Sequence, residues 1–289
     1  MTNSGLRRFV AYGLRCLILE EYESGARTIG LDQPSSFDLA LAEAERCAGG
    51  RGENYLLSCP SWTQRVRIRP LRHGGWLGHW SGDRYFTSRR SERELRNWRI
   101  LETKGAPIPG IVLAASRRRG IFWTPYLGTV NLEKAMSVFE WLSAENHSFA
   151  SLQTVALALA RSIRAFHDAG GVHGDLHLGN LLIDDSGDQT QCWLVDLDHS
   201  TLKDDPTASD RMRDLMRLWR SIEKADDLVS LDPRIRACFF AAYCGPDRQL
   251  RRALIARFDT EKRRLIRHRI AWQFRGGLER CARSIGITI

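Results

Sequence analysis

From Leu181 to Val195 the chain alternates in character over a short distance. Leu181-Leu182-Ile183 is an apolar run, Asp185-Ser186-Gly187-Asp188 is turn-forming, and Cys192-Trp193-Leu194-Val195 is apolar again. Strand, turn and returning strand are the elements this pattern predicts. A tight hairpin brings its two ends together. It therefore gathers Asp175 and Asn180, which precede it, and Asp196, which follows it, around one point. On one side, 151–169 carries Leu152, Val155, Leu157, Ala158, Ile163 and Phe166 at helical spacing and stops at Gly170-Gly171. On the other, 210–225 is helical, with Met212, Leu215, Met216, Trp219 and Ile222 as a buried stripe.

The first half has a different rhythm. Residues 55–59 and 64–71 read as strands. In the second, Arg65, Arg67 and Arg69 alternate with Val66 and Ile68, so the arginines share one face. Residues 91–104 read as a helix, with Ser91 as cap, Glu92 and Glu94 in the first turn, and Leu95, Trp98 and Leu101 at apolar spacing. It stops before Gly105-Ala106-Pro107-Ile108-Pro109. Residues 111–115 and 120–124 form a hairpin about Arg117-Arg118-Arg119, and Pro125-Tyr126-Leu127-Gly128 breaks the pattern. Nearer the start, 6–22 reads as a helix with an apolar face, and 36–48 as a second helix capped by Ser36. Strands early and helices late make an α+β chain, long enough for one large domain or two lobes.

Composition narrows the classes. With 289 residues, 43% of them hydrophobic, the chain is long enough to bury a full core. The net charge of +9 favours an anionic partner such as a nucleotide, nucleic acid, acidic glycolipid or membrane surface. The seven cysteines are odd in number and contain no CxxC pair, which argues against a metal cluster or a disulfide framework. Reduced thiols in a cytosolic protein follow. No apolar run approaches the roughly 18–20 residues that span a bilayer. The apolar stretch 9–19 is interrupted by Arg15, which argues against a secretion signal. The tail 248–283 interleaves basic and apolar residues. Its main reading is a packed helix pair with a solvated basic face, and contact with anionic lipid headgroups is the alternative.

The cluster at the hairpin suits phosphoryl transfer from a magnesium nucleotide. That reaction needs a carboxylate near the attacking hydroxyl and a few oxygen ligands to hold the metal against the phosphates. Asp175 takes the first role; Asn180 and Asp196 take the second. The adjacent Asp198 assists the metal or fixes the loop. The glycine-rich stretch around Gly50, Arg51 and Gly52 precedes two strands and offers backbone amides to phosphates, but by itself it is as readily a turn. No GxxxxGK[ST] pattern occurs.

The pattern H-G-D-x-x-x-x-N followed by apolar-apolar-D-x-D resembles the loops of the protein-kinase-like superfamily. The chain more narrowly resembles the lipopolysaccharide kinase family, especially the Kdo (3-deoxy-D-manno-octulosonic acid) kinases. The similarity rests on Gly50-Arg51-Gly52, Arg69, Arg72-His73-Gly74-Gly75, Arg90 to Glu94, Gly105 to Pro109, His173 to Asn180, Asp196 to Ser200, and Arg213 to Ser221. These motifs cover roughly 49–224.

The resemblance implies a bilobal kinase fold, a small β-rich lobe over 1–127 and a larger helical lobe over 128–289, with ATP and Mg²⁺ and the adenine held at a hinge near 125–128. An arginine replaces the usual phosphate-holding lysine; Arg69 is the candidate, with Arg67 and Arg72 as rivals, and Glu94 is its partner. His173 supports the catalytic loop and Asp214 anchors it from below; His177 lies on the acceptor side or, on the main reading, is simply solvated. The implied reaction phosphorylates a sugar hydroxyl of the inner core, the 4-hydroxyl of Kdo on a lipid A precursor. It places a peripheral protein at the cytoplasmic face of the inner membrane. No nucleic-acid partner is expected, because the sequence has neither an aromatic-basic surface nor a recognised reader motif. The short interval after Asp196, without an A-P-E motif, favours a small or glycolipid acceptor over a protein. The competing readings are a soluble antibiotic-type phosphotransferase, against which the basic charge argues, and a pseudokinase scaffold, against which Asp175, Asn180 and Asp196 together argue.

Overall fold

Leu14, Cys16 and Ile18 point to one side of a strand, and Leu17 points to the other. All four are buried, so this strand is covered on both faces. It is the second arm of a hairpin, β1 (Leu6–Ala11) and β2 (Leu14–Leu19), closed through Gly13 at φ +80°. The helix expected over 6–22 is therefore two strands. An apolar run buried on both faces loses the alternation that marks a strand. The computed structural model describes residues 5–47, 53–71, 85–144, 147–225, 232–258 and 260–261.

The hairpin extends an antiparallel sheet of seven strands in the order β1-β2-β6-β7-β5-β4-β3. The remaining strands are β3 (Glu45–Cys47), β4 (Asn54–Leu57), β5 (Val66–Pro70), β6 (Ile111–Arg119) and β7 (Phe122–Val130). As the alternation predicts, Val66 and Ile68 of β5 are fully buried while Arg67 and Arg69 are half-buried. Pro125 to Gly128 does not break the pattern. The strand runs through it to Val130, because Leu127 and Gly128 pair with both neighbouring strands.

One face of the sheet is covered by the short helix α1 (Glu23–Thr28) and by α2 (Pro34–Glu43), which buries Phe37 and Leu41. Gln33, not Ser36, occupies the cap position of α2. The other face packs on α3 (Arg89–Thr103) through Leu95, Trp98 and Leu101. The cap position here is Ser88, not Ser91. Ser91 lies inside the helix, and its hydroxyl bonds that of Ser116 on β6 at 2.8 Å.

The helical lobe follows, with α4 (Val138–Ser143), α5 (Phe149–Asp168), α6 (Ala208–Ala225) and α7 (Pro233–Cys244), and a further helical stretch over 248–258. Its strands are β8 (Met136–Ser137), β9 (Gly171–Val172), β10 (Leu181–Asp184), β11 (Gln191–Leu194) and β12 (Thr201–Leu202). The hairpin β10–β11 forms as the pattern predicts, in the register Leu181↔Leu194. One apolar cluster runs through both lobes, from Leu95 and Trp98 to Leu181, Leu194 and Met216. The amide of Leu194 also donates to the carbonyl of Pro107 at 2.8 Å, which fastens the glycine-proline segment to the hairpin.

An apolar cavity of about 350 Å³ lies among the helices, lined by residues that include Trp141, Leu159, Met216, Trp219 and Phe239. None of Asp175, Asn180 and Asp196 lines it, so it is not where the polar chemistry sits. Among the described residues all six cysteines are free, and burial pushes the Cys16 and Cys192 thiols up to about 12, which makes them inert. No helix among the described residues is long and apolar enough to cross a membrane.

Candidate active site

The loop from His173 to Asn180 is held from beneath by one carboxylate. Asp214, fully buried on α6, accepts the amides of His173 at 2.6 Å and Gly174 at 3.0 Å. Burial alone would raise its carboxyl, but hydrogen bonding from His167 and His173 outweighs that and holds it below the usual carboxylate range. Behind it, His167 Nε2 lies 3.4 Å from the Asp214 carboxylate and His167 Nδ1 lies 2.7 Å from the Tyr243 hydroxyl. Burial pushes His167 down. A neutral ring can accept from Tyr243 and donate to Asp214, forming a buried relay. The anchoring role expected of Asp214 is thus met; the support from His167 and Tyr243 carries no signal in sequence spacing.

His173 braces the loop as expected. Its Nε2 lies 3.0 Å from the carbonyl of Val195, and its Nδ1 accepts the amide of Asp175 at 3.3 Å. Burial pushes its ring down as well, which keeps it neutral and suited to both contacts. Gly174 adopts φ +76°, and a Cβ there would stand 2.5 Å from the carbonyl oxygen of His199. Only glycine fits this turn. His177 is not simply solvated: its Nδ1 accepts the amide of Gly179 at 3.1 Å and caps the short turn Leu178–Asn180.

These contacts assemble the predicted trio. Asn180 donates its side-chain amide to the carbonyl of Asp175 at 2.9 Å, which leaves its amide oxygen as an acceptor. The backbone of Asn180 accepts the amide of Val195 at 3.0 Å, and Asp196 comes next. Asp196 adopts φ 61° and ψ 56°, the left-handed region, and is the single non-glycine residue with positive φ among those described. Such strain persists where the surroundings enforce it, commonly at functional sites.

Arg69 reaches across from β5 to this point. Its guanidinium bonds Asp196 at 2.9 Å and Asp198 at 2.8 Å. Burial would lower the Arg69 pKa, but the two carboxylates outweigh it and the net shift is upward, so the charge is secure. Glu94, expected to pair with Arg69, makes no ion pair with it. Burial raises the Glu94 carboxyl, only partly countered by Arg90, Arg93 and Arg69. Asp198 is better placed than Glu94 because the strand-to-turn geometry after β11 directs it at β5. Of the rivals, Arg67 bonds Asn131 at 3.1 Å instead. Arg72, with Gly50, Arg51 and Gly52, lies outside the described residues.

Asn180, Asp196 and Asp198 present hard oxygen donors, and Asp196 remains 43% exposed on its side chain. Among the described residues no cluster of three His, Cys, Asp or Glu has metal-binding geometry. A site of one amide and one or two carboxylates fits magnesium, which keeps several waters, and not zinc.

Comparison with known proteins matches this arrangement. A sequence model of the lipopolysaccharide kinase (Kdo/WaaP) family matches residues 49–243. A 3-deoxy-D-manno-octulosonic acid kinase of Xylella fastidiosa (strain M12) is 32% identical over 188 residues, covering 64% of this chain and 71% of the relative. The enzyme of that name from Haemophilus influenzae (strain 86-028NP) is 27% identical over 184 residues, covering 61% and 74%. A solved structure described as WaaP in complex with acyl carrier protein superimposes with a TM-score of 0.59 at 19% identity, covering 87% of this chain and 99% of that one, a likeness of fold. With the family match spanning most of the chain and both lobes in a kinase-like arrangement, this protein belongs to the lipopolysaccharide kinase (Kdo/WaaP) family and is a phosphotransferase of lipopolysaccharide biosynthesis.

Proposed function

We propose that the chain transfers the γ-phosphoryl group of ATP to the 4-hydroxyl of Kdo on a lipid A precursor. The observation that carries this reading is the convergence of Asp175, Asn180 and Asp196 through the hydrogen bonds from Asn180 to Asp175 and from Val195 to Asn180. Asp175 orients the acceptor hydroxyl and takes its proton as the phosphoryl group arrives. Asn180 and Asp196 are the residues to hold magnesium, which when bound offsets phosphate charge. Arg69 bonds Asp196 and Asp198; in the working complex it exchanges part of its pairing with Asp196 for a phosphate oxygen. Gly50, Arg51 and Gly52 cover the phosphates, and Glu94 steadies the arginine side of the site. The named relatives support Kdo as acceptor. The net charge of +9 supports a peripheral position on an anionic leaflet, the cytoplasmic face of the inner membrane.

The test is transfer from labelled ATP to a Kdo–lipid A precursor with magnesium, wild type beside Asp175→Ala. Label on the acceptor with wild type only supports the reading. Label with both proteins removes Asp175 from its role, and label with neither, while magnesium-ATP still binds, overturns Kdo as the acceptor.

A further inference from the structure

The helix α6 is clamped to the catalytic loop at two points. Asp214 holds the amides of His173 and Gly174, and the hydroxyl of Ser221 accepts the amide of Leu178 at 3.1 Å. The two clamps are seven residues apart, about 10 Å along the helix axis. They lie on one face, because 214, 217, 218 and 221 follow helical spacing. Asp175 sits on the loop between the clamped amides, and Arg217 lies on α6 between the two clamps, its guanidinium 3.6 Å from the Asp214 carboxylate that holds the Gly174 amide. Arg220 stands one turn further on, beside Arg217.

The two guanidinia are poorly neutralised. Arg217 reaches Asp214 only at 3.6 Å, and that carboxylate is already committed to backbone amides. Arg220 makes no ion pair with any described residue and bonds only the carbonyl of Met216, at 3.4 Å. Partial burial and then the neighbouring charge of Arg217 push Arg220 below its ordinary value, with Asp175 acting in the opposite direction. Two arginines side by side, beside the base and without a dedicated carboxylate, form a seat for an anion.

We propose that Arg217 and Arg220 bind the carboxylate of the acceptor sugar and so turn its reacting hydroxyl towards Asp175. The inference rests on the proposed sugar-acid acceptor and adds the residues that select it. A neutral sugar would leave the pair unmatched, so the same two residues give the enzyme its preference for an acidic sugar.

The probes are the methyl glycoside of Kdo and its counterpart with the carboxyl reduced to an alcohol. Binding of each is measured calorimetrically to wild type, Arg220→Gln and Arg217→Gln, with magnesium-ATP affinity and thermal midpoint as controls. Arg220→Gln is the cleaner variant, because Arg217 also touches Asp214. Arg220→Gln should weaken the intact glycoside by about tenfold or more, as loss of a charge-assisted contact does. Affinity for magnesium-ATP should be unchanged. On the reduced glycoside wild type should be weakened to a similar degree, and Arg220→Gln should cost nothing further. Equal loss on both glycosides, no loss on either, or no binding of the intact glycoside to wild type would overturn the proposal. Carboxylate-dependent binding without phosphoryl transfer would uphold it while removing the Kdo kinase reading.

Discussion

Asp214→Ala tests whether the catalytic loop is held by one buried carboxylate. The substitution removes the acceptor of two backbone amides, at 2.6 and 3.0 Å, and the partner of His167. Hydrogen bonds to a charged group are worth about 1.5–3 kcal/mol each, and a buried amide left without an acceptor costs about 1–3 kcal/mol. Two such bonds give a loss of about 3–6 kcal/mol, which is large against a total stability of about 5–15 kcal/mol. Asp214→Asn retains one oxygen and should lose about half as much. Urea unfolding of wild type and both variants, followed by tryptophan fluorescence, measures the loss from the shift in midpoint at constant slope. Transfer should fall further than stability predicts, because the amides that lose their anchor immediately precede Asp175. A loss below about 1 kcal/mol with an unchanged turnover number would refute the reasoning, since it would mean that the loop keeps its shape without this anchor.

Two further outcomes follow from the same region. His167 is held below its ordinary value by burial, so an unfolded chain binds a proton near pH 6.5 that the folded chain refuses. Stability should therefore be level above that pH and decline as pH falls through it, by up to about 1.4 kcal/mol per pH unit from this residue, with His173 adding in the same sense. Unfolding of His167→Gln between pH 7.5 and 5 should show a slope shallower by about one proton, and equal slopes would exclude His167 as the source. Gly174→Ala forces a side chain into φ +76° and against His199. The strain is about 1–3 kcal/mol before any clash is relieved, and circular dichroism should report a folded protein that has lost transfer; full activity would mean the turn is not required.

The elements around the catalytic loop were legible because each has a local cause. The turn Asp185 to Asp188 is specified by its own residues, so β10 and β11 pair where the pattern places them. The spacing of Val155, Ile163 and Phe166 specifies the buried face of α5, and Gly170 at φ +99° specifies its end. The same spacing logic failed for Leu6 to Leu19, where Leu14, Cys16, Leu17 and Ile18 are all buried. A strand sandwiched between α1 and α2 on one side and the shared core on the other has no polar face to reveal its period. It failed again at Pro125 to Gly128, which is turn-like alone but paired on both sides within the sheet.

The sequence by itself determined the class of chemistry. Asp175, Asn180 and Asp196 are separated by one short loop and one hairpin, and local folding is enough to bring them together. The anchoring role of Asp214 came from the kinase resemblance and not from periodicity, because an acid among the apolar positions of a helix does not by itself say what it holds. Only the tertiary structure decided what Arg69 pairs with. The choice between Glu94 and Asp198 depends on how the small lobe is seated on the large one, over a separation of 129 residues between Arg69 and Asp198. Only the tertiary structure placed His167 and Tyr243 behind Asp214, and the Arg217–Arg220 pair against the clamped loop. Ion pairs and buried relays of this kind are set by the approach of whole elements, whose positions follow from the shape of the shared core and leave no spacing in the chain to read.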